Sequence, residues 1–104
     1  MLRISVLNEP GIARLKLEGK LAHEWVGEAR KVWATLATVN GSSDLVVDLL
    51  GVSFVDEAGH QLLAEMRHGG AELIGSGPLV SALIDEIEDA EGVTVQDDVN
   101  GELP

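Results

Sequence analysis

Two carboxylates, Asp56 and Glu57, stand back to back in the stretch SFVDEAGHQLLAEM (residues 53–66), between an apolar run and a helical pattern. Adjacent acids can shift each other's pKa and divide acid and base roles. Consecutive residues at a helix start point in different directions, however, and neither a serine–histidine pair nor a cluster of metal ligands surrounds them. No catalytic residue, cofactor site or metal site is therefore expected. His23, His60 and His68 stand alone, without the His-Glu-x-x-His spacing of a helical metal site, and read as surface or capping residues. Asp48, read as ending a buried strand, could accept a phosphoryl group. That chemistry also needs an acidic pair after the first strand and a lysine near the last, and Leu7-Asn8-Glu9 and Val95-Gln96-Asp97 supply neither. Asp48 is expected to tie down the following loop. Gly75-Ser76-Gly77-Pro78 opens a helix, and helix starts hold anions, but the motif has no lysine and its surroundings are acidic, so it reads as a turn.

The bland role of the acidic pair is local. Asp56 is a good N-cap, its side chain accepting from an otherwise unpaired backbone N–H. Glu57 falls in the first helical turn, where the positive end of the macrodipole favours an anion by about 0.3–1 kcal/mol.

The elements that must position this corner follow from periodicity. Apolar residues at 2, 4 and 6, then at 13, 15 and 17, alternate as in strands. Asn8-Glu9-Pro10-Gly11 turns the chain between them, so the two strands should pair as a hairpin at one end of a sheet. Trp25, Ala29, Val32, Trp33 and Leu36 recur at helical spacing, with a left-handed cap expected at Asn40-Gly41. Leu45-Val46-Val47 and Leu49-Leu50 read as a strand covered on both faces. A second helix carries Leu62, Leu63 and Met66 and stops at Gly69-Gly70. Residues 71–74 form a short strand. A third helix starts at Pro78 with a stripe of Leu79, Val80, Leu83, Ile84 and Ile87. Val93 and Val95 mark a last strand, and residues 97–104 a polar tail. Helices alternating with strands imply parallel crossovers. A chain of 104 residues is one domain, here residues 1–96 plus the tail.

Seven Lys and Arg against eighteen Asp and Glu give a net charge of −11, which disfavours nucleic acid and anionic membranes, because both need phosphates neutralised. With no cysteine there is no disulfide framework or thiolate metal site. No basic and apolar leader pattern and no apolar run of about 20 residues is present, so a cytoplasmic location without membrane insertion is expected. Aromatic residues are 3% of the chain, so aliphatics must fill the core, and a ligand-sensing pocket ranks low.

The stretch DLVVDLLGVSFVDEAGHQLLAEMRHGGAELIGSGPLVSALIDEI (residues 44–87), preceded by LKLEGKL (residues 15–21), resembles the STAS domain family (sulfate transporter and anti-sigma factor antagonist). The resemblance covers about residues 2–95. It implies an α/β fold with a mixed central sheet and amphipathic helices packed on it, in the order β-β-α-β-α-β-α-β. It also implies a noncatalytic protein-interaction module like an anti-sigma factor antagonist. In relatives switched by serine kinases, the residue after the family aspartate is a phosphorylatable serine. Carried over, that aspartate is Asp56, the serine position is Glu57, and Ala58 and Gly59 follow. Neither Glu57 nor Ala58 has a hydroxyl, so the family switch is not expected to operate. Glu57 would supply a permanent charge of about −1, against about −1.5 to −2 for phosphoserine. The partner-binding residues expected from the resemblance are Asp56, Glu57, Ala58, Gly59, His60 and Gln61. The partner would be an anti-sigma factor-like kinase. The alternative is a transporter ATPase subunit, with the chain as an accessory subunit of an ABC-type transport system. Weak homodimerisation is a further expectation.

Overall fold

The computed structural model describes residues 1–39 and 44–100, and the side chains of 1–38 and 44–89. Two strands open the chain, β1 (Leu2–Glu9) and β2 (Ile12–Leu21), paired antiparallel through a tight turn at Pro10-Gly11. Proline pre-sets the first turn position, and Gly11 adopts φ 77°, a left-handed value that glycine reaches without steric cost. Helix α1 (Glu24–Val39) crosses to β3 (Asp44–Val55), and α2 (Glu57–His68) to β4 (Glu72–Ile74). The chain then enters α3 (Pro78–Asn100). The sheet order is β1-β2-β3-β4, with β2, β3 and β4 parallel. The expected hairpin at one end of a mixed sheet is present. The Asn40-Gly41 cap lies outside the described residues.

Register explains the core. Ala13, Leu15 and Leu17 alternate onto one face of β2, and pairing brings Leu45 and Val47 of β3 and Leu73 of β4 onto the same face. Val26, Ala29 and Leu36 of α1, Leu62, Leu63 and Met66 of α2, and Val80 and Ile87 of α3 close over that face in one cluster. Burial of this aliphatic surface is the main favourable term for folding. Helix α2 ends in a Schellman arrangement: Ala71 N–H donates to Met66 O at 3.0 Å and Gly70 N–H to Arg67 O at 3.1 Å, with Gly70 at φ 104°.

Three sequence expectations need correction. Strand β3 is not covered on both faces: Leu45, Val47 and Leu49 point to the helices, while Leu50 on the opposite side is 55% exposed. The apolar run mixes the two faces. Asp48 does not end a strand or hold a loop; it lies inside β3, which runs on to Val55. The last strand at Val93 and Val95 is absent, because those residues continue α3. Val95 lies eight residues beyond Ile87, about two helical turns. Each added helical residue gains a hydrogen bond, whereas β4 offers a new strand only three residues of ladder. The sheet therefore has four strands among the described residues.

Asp48 is buried on the sheet face away from the helices. One carboxylate oxygen, Oδ1, accepts from Leu50 N–H at 2.9 Å, and Oδ2 lies 3.5 Å from Arg14 Nη1. Arg14→Met would keep the aliphatic stem and remove the charge, leaving a buried carboxylate with one donor. Stability should fall by about 1–2 kcal/mol, since the pair is only partly screened from water. The loss should be smaller in an Asp48→Asn background, measured as a double-mutant cycle in urea.

Candidate functional site

The corner after β3 is laced to the rest of the molecule through its backbone and through Asp56. Asp56 N–H donates to Leu21 O at 3.2 Å, fastening the end of β3 to the end of β2. The Asp56 side chain caps α2: Oδ1 accepts from Gly59 N–H at 2.8 Å, the bond an N-cap aspartate is suited to make. Its other oxygen, Oδ2, accepts from His23 N–H at 2.9 Å, in the connection between β2 and α1. His23 is the one non-glycine among the described residues with positive φ, at 56°. One carboxylate thus holds two connections that are 33 residues apart in sequence.

These bonds set the chemistry. The backbone N–H of His23, and secondarily that of Gly59, hold the Asp56 carboxyl below its ordinary pKa, because both donate to the charged form. Asp56 is an anion with both oxygens engaged, so it is not a proton donor at neutral pH. Among the described residues no hydrogen bond joins the Asp56 and Glu57 side chains.

Gly59 is buried, and the reason is close approach. A Cβ there would lie 2.4 Å from Leu21 O and 2.9 Å from Val55 Cγ1. The first turn of α2 rests directly on the end of β2. Of the residues expected to face a partner, Glu57, Ala58 and Gln61 are exposed and Asp56 and His60 half-buried, whereas Gly59 is interior. The Glu57 side chain has no hydrogen-bond or ion-pair partner among the described residues. His60 Nε2 lies 3.0 Å from Glu86 Oε1 of α3, joining the two helices at the rim of the corner.

Sequence reasoning missed the hollow beside this corner. Met1, Lys20, Ala22, His23, Trp25 and Phe54 line an open depression of about 280 Å³. Phe54 is 45% exposed on β3, and Trp25 stands in the first turn of α1. They line one depression because the register pairs Lys20 with Phe54 and Leu21 with Val55, bringing the end of β3 beside the start of α1. The scarcity of rings was the one available hint. Among the described residues no group of three or more His, Asp or Glu could hold a metal ion, and no helix is long and apolar enough to cross a membrane.

No protein-family model and no curated protein matches the chain. Solved structures do. The chain is similar to an anti-sigma factor antagonist from Mycobacterium paratuberculosis, with a TM-score of 0.71 at 17% identity, covering 94% of this chain and 81% of that one. It is similar to the anti-sigma factor antagonist SpoIIAA in its unphosphorylated form, with a TM-score of 0.60 at 18% identity, covering 90% and 98%. It also resembles part of Mglu, with a TM-score of 0.56 at 23% identity, covering 71% of this chain and 19% of that one. The architecture is the STAS-like fold, α/β with a mixed sheet.

Proposed function

We propose that this chain is a noncatalytic, cytoplasmic protein-interaction module resembling an anti-sigma factor antagonist, which docks its partner through the corner at residues 56–61. The observation that supports this reading is the division of labour between the two carboxylates. Asp56 is used up internally in holding the corner, while Glu57 stands beside it exposed and unpaired among the described residues. An anion fixed on a rigid helix start costs little ordering entropy on binding, which favours its use in recognition. Glu57 occupies the position where serine-switched relatives carry a hydroxyl, so serine-kinase control does not operate at the corner and docking is constitutive. The partner presents a basic or hydrogen-bond-donating surface to Glu57, in keeping with the chain's net charge of −11.

Affinity capture from native lysate, followed by titration of the identified partner, tests this. Glu57→Ser and Glu57→Gln should each weaken binding by about tenfold at low salt, and the difference should shrink as salt screens it. Equal affinities for wild type and both variants would reduce Glu57 to a helix-end stabiliser. Recovery of a transporter ATPase subunit in place of an anti-sigma factor-like kinase would select the transport reading.

A further inference from the structure

Strand β1 is an edge of the sheet, eight residues long, without proline or lysine. Exposed edges of this kind are templates for another strand, and proteins ordinarily blunt them. Here no strand among the described residues pairs with this edge. Val6 is 41% and Leu7 45% exposed, and Arg3 and Glu9 are exposed charges with no ion-pair partner among the described residues.

The ladder shows which backbone groups are free. Lys20 N–H donates to Met1 O at 3.0 Å, so Met1 and Lys20 form a hydrogen-bonded pair. Antiparallel ladders alternate, so the odd-numbered residues of β1 bond to β2. The N–H and C=O groups of Leu2, Ile4, Val6 and Asn8 point to the open edge.

From this geometry we infer that β1 pairs antiparallel with β1 of a second copy, forming a two-fold symmetric dimer with one continuous eight-stranded sheet. With Val6 opposite Val6, Ile4 falls opposite Asn8, and all three pairs use the outward-pointing groups, giving about six backbone hydrogen bonds. The same register sets Arg3 opposite Glu9 of the second copy, twice by symmetry, and each unpaired charge meets its complement on the face away from the helices. Leu2 then meets Pro10, which has no N–H, and the ladder ends there. Space permits the pairing. Helix α1 packs on β2, so the two α1 axes would stand about 14 Å apart, three strand spacings, wider than the 8–10 Å of packed helices. This surface is separate from the corner and does not depend on its role.

Strand addition over so few residues gives a small interface, with dissociation on the order of 100 µM. Sedimentation equilibrium of the full chain from roughly 10 µM to 1 mM at low salt reads it directly. Wild type should shift from monomer to dimer across that range. Arg3→Glu and Glu9→Arg should each weaken the dimer by about tenfold, and the double reversal should restore it. Val6→Pro should abolish it, because it removes an outward N–H without touching the β2 ladder. The charge reversals lie on an exposed edge, so they keep the test readable if the proline variant unfolds. A wild type that stays monomeric throughout overturns the inference. So does a dimer indifferent to both reversals, or a double variant no tighter than the singles.

Discussion

Gly59→Ala should destabilise the protein by about 2–4 kcal/mol, the opposite sign from the usual effect of alanine in a helix. Alanine is the better helix former by about 1 kcal/mol, and Gly59 has an ordinary helical backbone. The cost comes from outside the helix. The added methyl would sit 2.4 Å from Leu21 O, 2.9 Å from Val55 Cγ1 and 3.1 Å from Leu21 Cγ. Leu21 O is backbone and already accepts from Asp56 N–H, so it cannot swing aside. The first turn of α2 must lift from β2, and the cap and the corner move with it. Gly27→Ala is the control. That residue lies in α1, exposed, with nothing within 4 Å of the place a methyl would occupy, and the change should stabilise by about 0.5–1 kcal/mol. Urea denaturation of the two variants side by side decides the matter. A Gly59→Ala variant as stable as wild type would show that α2 does not rest on β2 as described.

The second large effect concerns Asp56. Asp56→Ala removes the acceptor for Gly59 N–H and for His23 N–H at once, loosening two connections, and should lower the melting temperature by roughly 5–10 °C at pH 7. Under the proposed docking role it should also weaken partner binding, because Glu57 is carried on the same helix start. The pH dependence gives an independent check. The folded pKa of Asp56 is depressed, so its contribution is fully present above the unfolded carboxylate value of about 3.9 and is lost as pH falls through the lower folded value. The difference between wild type and Asp56→Ala should therefore be constant from neutral pH down to about pH 5 and narrow below about pH 4. Asp56→Asn should fall between the two, since its amide oxygen can still accept from Gly59 while its NH₂ meets the His23 donor. Thermal melts followed by circular dichroism at several pH values measure this. A gap that does not narrow in acid would remove the carboxylate from the account.

Much of the corner was legible because its logic is local. An aspartate ahead of a helical pattern reads as an N-cap, and Asp56 bonds three residues ahead to Gly59, inside any short window. The capping glycines of α2, Pro78 at the start of α3 and the Pro10-Gly11 turn were legible on the same ground. The failures have physical reasons too. The run at residues 45–50 reads as doubly buried because hydropathy does not report which face a helix covers, and Leu50 faces away from all that packing. Val93 and Val95 have the alternation of a strand, but a strand needs a ladder to join, and β4 is too short to extend one.

By itself, then, the sequence determined the order of most elements, the mixed α/β class and the acidic residue at position 57, since each rests on residue type and short-range period. The tertiary structure alone decided the rest: that Asp56 reaches His23 across 33 residues, that Gly59 must lack a side chain, that Trp25 and Phe54 line one depression, and that β1 is the edge of the sheet. Those facts depend on register between strands and on which face the helices occupy, and both are set by the packing of the whole core.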